Sequence, residues 1–377
     1  MTSENSPTLV SIVIPCRNEA KRIARCLESV LQNNYPPDRI EILVVDGMSS
    51  DGTREILAEY ARKHGQIRVL DNPRRIIPCA MNLGIRAARG EIVIRLDAHA
   101  TYPADYLLRC VQLLDGTGAD VVGGRTANSV SEDGSVMARV IGIVTSHPFG
   151  VGASPFRTRM TAGPADSVVF GAFRRRVFEK TGLFDERLIR NQDNEMWHRI
   201  RRGGGQVYFD PNIVAYYYNQ STLRGFLVQA FRTGFWCALA ARLNPFVLRL
   251  RHVAPMAFVL YALLAIGLTV AGFFTGLGWL LAGGLVMLCA YLVPDLFFSI
   301  SMSRGTSRIP GSPRTALLAF VVIPAYHLTY GLGWWVGLGK ILVGRWEHYL
   351  GAPADKAIDY LPPLHAAASS PTQETPQ

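Results

Sequence analysis

Hydrophobic and polar positions fall into two regimes. Up to about residue 225, short β-branched apolar runs alternate with helically periodic stretches; beyond it, long apolar runs dominate. Val10-Ser-Ile-Val-Ile-Pro15 reads as a buried strand ended by proline, after which Cys16-Arg-Asn-Glu19 opens a helix through Leu27 and Val30. Glu41-Ile-Leu-Val-Val-Asp46 is a second strand, followed by a polar loop to Thr53 and an amphipathic helix through Tyr60. Ile67-Arg-Val-Leu70 gives a third strand and Cys79 to Ala88 a helix. Glu91-Ile-Val-Ile-Arg-Leu-Asp97-Ala-His99 is a strand that stops on an acid and a histidine one residue apart. Val168-Val-Phe170 and Val207-Tyr-Phe209 read as short strands completing the sheet. Between them Asp193 opens a helix through Trp197 and Ile200, stopped by Gly203-Gly-Gly205. Repeated strand–helix units predict an α/β domain with a doubly wound, mostly parallel sheet and right-handed crossovers. No G-x-G-x-x-G follows the first strand, which disfavours a dinucleotide-binding domain.

The segment Gly142 to Pro164, rich in Gly, Ser and Pro, reads as a mobile loop over a site, or as a surface excursion with no role. Phe226 to His252 mixes apolar residues with Arg232, Arg242, Arg249 and Arg251, so it should lie in a membrane interface with its apolar side down. Val253 to Phe274, Leu277 to Ile300 and Ala316 to Gly339 are each long enough to cross ~30 Å of hydrocarbon. Gly333 and Gly337 suit close helix packing, whereas Pro324 could split the third run into a re-entrant pair. Asp295 and His327 are ionisable at membrane depth and thus functional candidates, although Asp295 could equally reach headgroups. The basic stretch Arg304 to Arg314 predicts the same side as the first domain, and the tail from Ser369 reads as disordered. These features set expected boundaries at 1–224 (catalytic), 225–252 (interfacial helices), 253–343 (about three spans) and 344–377 (tail).

A net charge of +10 calls for an anionic partner: a membrane surface, a nucleotide or lipid phosphate. No nucleic-acid partner is expected. The six cysteines lack C-x-x-C spacing, so neither a zinc site nor a disulfide framework is predicted. Met1 to Pro7 is polar and carries no signal-peptide pattern, so the first domain is expected to stay in the cytoplasm.

Chemistry concentrates at strand ends. In open α/β sheets, ligands bind beyond the carboxyl ends of the strands. Asp97 and His99 at such an end can share one divalent cation, or can be an ordinary strand end with a turn cap.

Four stretches together carry a resemblance: Ile14-Pro15 with Asn18-Glu19; Val45-Asp46-Gly47 through Asp51-Gly-Thr53; Asn82-Leu-Gly84 with Ala88-Arg-Gly90; and Asp97-Ala-His99. In order and spacing they resemble the family 2 inverting glycosyltransferases of GT-A fold. With Gly171 to Arg175, Gly182 to Glu186 and Arg190 to Glu195, the chain looks most like the ExoA-type branch, membrane-bound transferases of bacterial exopolysaccharide assembly. The resemblance implies a GT-A domain followed by transmembrane helices in the bacterial inner membrane. It implies donor binding by Pro15, Arg17, Glu19, Asp46, Asn82 and Asp97, with Mg2+ or Mn2+ on Asp97 and His99. Asp193 matches the catalytic base, where a helix start favours its anion; Gln192, Gln229 and Arg232 match acceptor positions. Asp51 is better explained as a helix cap. The metal motif is Asp-x-His rather than Asp-x-Asp, Gln192 replaces a glutamate, and no tryptophan follows Arg232, which removes support for processive synthesis. The expected activity is transfer of one sugar, implied to be glucose from UDP-glucose, to a polyprenyl-diphosphate-linked glycan. The alternatives are monosaccharide transfer to polyprenyl phosphate and a catalytically silent membrane scaffold.

Overall fold

The structure is a computed structural model describing residues 7–129, 135–152, 157, 159–218, 220–302 and 312–350. The expected disordered tail and most of the basic stretch from Arg304 lie outside the described residues.

β1 (Val10–Cys16), β2 (Ile40–Asp46), β3 (Ile67–Asp71) and β4 (Ile92–Arg95) pair in parallel in the order β3-β2-β1-β4. Between them run α1 (Ile23–Leu31), α2 (Thr53–Lys63) and α3 (Ile77–Ala87). Alternate residues of these strands enter two cores. Ile12, Ile14, Ile42, Val44, Ile92 and Ile94 pack on α1 and α4 (Tyr106–Thr117), whereas Val13, Leu43, Val45 and Val93 pack on α3. Burial on both faces is why the strands read as continuous apolar runs rather than alternating ones.

Past β4 the sheet becomes mixed. β8 (Val169–Arg174) joins β4 and β6 (Val121–Ser129) antiparallel, β6 pairs in parallel with β9 (Val207–Tyr218), and short β5 (Ala100–Thr101) and β7 (Gly163–Pro164) close on β9. β8 and β9 are longer than the two short strands expected. The helix after β1 starts at Ile23, not Cys16. Residues 17–22 instead form a turn in which Asn18 takes a left-handed conformation (φ 53°) and the Glu19 carbonyl accepts from Arg22 and Ile23.

The mobile-loop expectation for Gly142 to Pro164 is overturned in its first part, and residues 153–156 and 158 of that segment lie outside the described residues. Gly142 lies inside α5 (Val136–Thr145), which is followed by α6 (Pro148–Val151), and Ile143 and Val144 are buried core residues. A run with this much buried apolar surface is a packed element. After α7 (Arg176–Thr181) and α8 (Gln192–Arg202), α9 (Leu223–Leu243) enters the helical region formed by α10 (Leu250–Thr275), α11 (Gly278–Met302) and α12 (Pro313–Leu342).

These last three helices are long and apolar enough to cross a membrane. α10 and α11 form a hairpin about the left-handed Gly276. α12 is one continuous helix through Pro324, so the re-entrant break is absent. α9 does not turn its apolar side to lipid: Phe226, Ala230 and Gly234 to Ala240 are buried, largely against α12. The two helices run parallel, from Phe226 stacked on Tyr326 to Arg242 over Trp346. A Cβ at Gly234 would collide with the Tyr330 carbonyl and one at Gly333 with the Phe231 carbonyl, which is why both positions are glycine. Asp295 does not reach headgroups; it is fully buried, its Oδ1 3.5 Å from Ser299 Oγ.

Candidate active site

The parallel register aligns Cys16 with Asp46 and Val13 with Arg95, so the turns after β1, β2 and β4 meet at one sheet edge. A cleft of about 710 Å³ opens there, between the turns after β1, β3 and β4, the start of α8 and one face of α9. Of the expected site residues it is lined by Arg17, Asp97, His99, Gln192, Asp193, Gln229 and Arg232.

Asp97 is fixed from its backbone and from its side chain. The Tyr102 hydroxyl accepts from Asp97 N at 2.8 Å and lies 3.2 Å from its carbonyl, while Arg95 Nε and Nη2 donate to Oδ1 at 3.3 and 3.2 Å. His99 is held at both nitrogens, Nδ1 3.0 Å from Glu19 Oε1 and Nε2 2.9 Å from Tyr217 OH. Burial alone would lower its pKa; the Tyr217 oxygen and the Glu19 and Asp97 carboxylates outweigh this and hold it up at about 10. Both ring nitrogens are thus engaged and the protonated ring is favoured, so His99 would have to lose a proton before it could ligate a metal. No cluster of three or more metal-ligating side chains exists among the described residues. The donor set fits an ion carried by Asp97 and a ligand's own phosphate oxygens, the usual arrangement for Mg2+, rather than a cage of protein ligands.

Asp193 lies in the first turn of α8, behind Asn191, whose left-handed conformation (φ 62°) starts the helix. Its Oδ1 accepts from Asn194 N at 2.8 Å. Asn194 Nδ2 donates to Asn191 Oδ1 at 3.2 Å, and Asn191 Nδ2 contacts Cys237 Sγ on α9 at 3.4 Å, so the helix start is tied to the membrane-side wall. Asp193 stabilises the cations of both Arg95 and Arg190. Gln192 is buried, and its Oε1 has no hydrogen-bond partner among the described residues.

Four expected donor residues do not line this cleft. Asn82 is a structural clasp: its Nδ2 donates to the Phe184 carbonyl and Glu186 Oε1, and its Oδ1 accepts from Phe184 N, each at 2.9 Å. Asp46 is fully buried and accepts from Ser49 N, Ser49 Oγ and Arg54 Nη1. Pro15 stays within β1, paired with Val45. Glu19 acts one layer back, through His99. Asp51 accepts from Thr53 N at 3.1 Å and Ala20 N at 3.2 Å; the N-cap of α2 is Gly52, one residue on, so Asp51 holds the turn before the helix and does not cap it.

The cleft also holds residues that the sequence did not single out. Arg75, Arg95 and Arg190 join Arg17 and Arg232 against Asp97 and Asp193, giving an anion-attracting floor. Burial and nearby Arg232 lower the Arg190 pKa. Arg95 had a signal, a cation inside an apolar strand. Tyr217 had none: β5 pairs Ala100 with it across the sheet.

The glycosyl transferase family 2 model matches residues 11–182. The chain is similar to the succinoglycan biosynthesis protein ExoA of Rhizobium meliloti, 30% identical over 343 residues, covering 89% of this chain and 96% of that protein. It is also similar to a dolichyl N-acetyl-alpha-D-glucosaminyl phosphate 3-beta-D-2,3-diacetamido-2,3-dideoxy-beta-D-glucuronosyltransferase of Methanococcus voltae, 30% identical over 268 residues, covering 69% of this chain and 83% of that one. In fold it is similar to a mannosyltransferase of Pyrobaculum calidifontis solved with GDP-Man and Mn2+: TM-score 0.51, 19% identity, 90% of this chain and 89% of that one.

Proposed function

The chain belongs to glycosyl transferase family 2, a glycosyltransferase of exopolysaccharide or related glycan biosynthesis, and on that premise we propose that it adds one hexose, glucose from UDP-glucose, to a polyprenyl-diphosphate-linked glycan at the cytoplasmic face of the bacterial inner membrane. The observation that carries the proposal is the shared cleft, where Asp193 and Asp97 face one space with an arginine floor, one wall supplied by α9 beside the membrane helices.

In this reading Asp193 accepts the proton of the acceptor hydroxyl as that oxygen attacks the anomeric carbon. The bond from that carbon to the donor diphosphate breaks on the opposite face, inverting the centre. Arg17, Arg95 and Arg190 offset the charge gathering on the leaving diphosphate. Mg2+ or Mn2+ on Asp97 would add Lewis-acid neutralisation there. Gln192, Gln229 and Arg232 line the acceptor side. A lipid-phosphate-linked sugar is also what the Methanococcus relative's name gives as its acceptor, which supports this acceptor class.

Radiolabelled UDP-sugars offered to membranes carrying lipid-linked acceptors test the proposal. A labelled oligosaccharide-lipid is expected. A labelled monosaccharide-lipid would instead establish the polyprenyl-phosphate reaction, and no labelled lipid with any donor would leave the scaffold reading.

A further inference from the structure

A second cavity, about 550 Å³, lies between the catalytic domain and the membrane helices, and no role above uses it. It shares Asn191, Asn194, Gln220, Gln229 and Thr233 with the cleft, so the two spaces meet along side chains of amide and hydroxyl type, the groups that hydrogen-bond sugars. Its far wall is aromatic, with Phe149, Phe258, Tyr291 and Tyr326 drawn from α6, α10, α11 and α12. Two guanidiniums, Arg157 and Arg251, line the same space.

Arg251 is not the headgroup contact that its place in the sequence predicts. Its side chain is only 16% exposed and is oriented by Asp166, Nη1 to Oδ2 at 3.2 Å, while its buried Nε has no hydrogen-bond partner among the described residues. His327, also in the lining, is already committed: Nε2 donates to the Gly150 carbonyl at 3.1 Å, so Nδ1 accepts from Tyr291 OH at 2.9 Å. The cavity thus offers two cations, an aromatic wall and a sugar-compatible passage toward the cleft that Asp193 lines. An inorganic anion would leave the aromatic wall unused, and a phospholipid would leave the passage unused.

We infer that this cavity seats the phosphate and first isoprene units of the lipid-linked acceptor, with Arg251 and Arg157 gripping the phosphate. The inference rests on the lipid-linked acceptor proposed above. It adds that the phosphate stands off from Asp193 by the length of the shared passage, which suits an acceptor already bearing sugar and not bare polyprenyl phosphate.

The test is equilibrium binding to the purified full chain in lipid nanodiscs, with farnesyl diphosphate as probe, farnesol and phosphatidylglycerol as comparisons, and UDP titrated on the same preparations. Farnesyl diphosphate is expected to bind far more tightly than farnesol and to resist phosphatidylglycerol. Arg251→Gln and Arg157→Gln should each weaken it about tenfold or more, as loss of a charge-assisted hydrogen bond does, with UDP binding unchanged. Asp166→Asn, which breaks the ion pair but keeps the guanidinium, should weaken it far less than Arg251→Gln; an equal loss would make Arg251 merely structural. Farnesyl diphosphate binding that is absent, unchanged in both arginine variants, or matched by farnesol or phosphatidylglycerol overturns the inference. Absence of UDP binding with intact farnesyl diphosphate binding would instead count against the proposed transferase reaction.

Discussion

Asp193 sits where α8 begins, its carboxylate favouring the charged forms of Arg95 and Arg190, and the proposed reaction leaves donor recognition to other residues. Asp193→Asn should therefore lower turnover by about 10²–10⁴-fold, the range for losing a general base, while calorimetric titration shows UDP affinity nearly intact. A loss of UDP affinity matching the loss of rate would sink the assignment. His99 poses a sharper question, because its ring is held as a cation between Glu19 and Tyr217. If it joins Asp97 on a metal, it must release a proton, since ligation needs the neutral ring. With a pKa of about 10, that proton competes throughout the neutral range. Mn2+ affinity should then rise by up to about tenfold per pH unit between about pH 6 and pH 9 in the wild type, and be nearly flat in His99→Ala. Equal pH dependence in both proteins would remove His99 from the metal site, and a wild-type rate unchanged by chelation would remove the metal.

Elements are joined by few, buried polar groups. Glu41 of β2 is nearly fully buried; its carboxylate accepts from Ser11 Oγ of β1 at 2.5 Å and from the Arg89 backbone and side chain just before β4. Burial pushes its pKa up, but the Ser11 and Arg89 hydrogen bonds prevail and hold it below the ordinary 4.5. A depressed carboxyl pKa stabilises the fold above the unfolded value, and that contribution is lost as pH falls through the folded one. Glu41→Gln should cost about 1–3 kcal/mol near neutrality, and the gap to wild type should narrow below pH 4.5. A gap that stays constant into acid would mean that the charge contributes nothing. The α9–α12 crossing depends on shape instead: Gly333→Leu places a side chain against the Phe231 carbonyl. It should cost 1–3 kcal/mol or more by overpacking, with a lower thermal unfolding midpoint. It should also impair turnover, because α9 is the wall that carries Gln229 and Arg232.

At the scale of the whole molecule, the contacts of α12 bear on how the chain meets a membrane. Its first turns pack on α5, through Ala319, Val322 and Ile323 against Val140, Ile141 and Val144. Just past its other end, Tyr349 packs on Leu188 and Phe235 and lines the cleft. Both ends therefore adjoin the catalytic domain, whereas the tip of the α10–α11 hairpin exposes Phe273, Phe274 and Trp279. Topology should follow: in a Cys289→Ser background, Arg345→Cys should react with an impermeant maleimide from the same face as Gly65→Cys, and Thr275→Cys from the opposite face. Arg345→Cys reacting from the face of Thr275→Cys would show instead that α12 crosses the bilayer from side to side.

Local periodicity was enough to read β1 to β4, the α/β class and the apolar helices, because each depends on neighbours a few residues apart, whereas the joining of the Asp97 motif to the Asp193 helix start came from the family resemblance. Gly333 and Gly337 were likewise legible as packing positions, since small residues at that spacing permit close backbone approach. Only tertiary structure decided which polar groups are already committed. Asn82 and Asp46 looked like ligand contacts, but neither lines the cleft, and each is already hydrogen-bonded within the protein, to Phe184 and Glu186 or to Ser49 and Arg54. The start of the Gly142 to Pro164 segment looked like a loop because glycine and proline set local propensity, yet residues 142–145 are helical, within α5, where α12, far along the chain, covers it. Tyr217 on His99 and Asp166 on Arg251 bring together residues that β-pairing and helix packing join across long stretches of chain. Such partnerships leave no periodicity in the sequence, because a hydrogen bond or ion pair depends on separation in space and not along the chain.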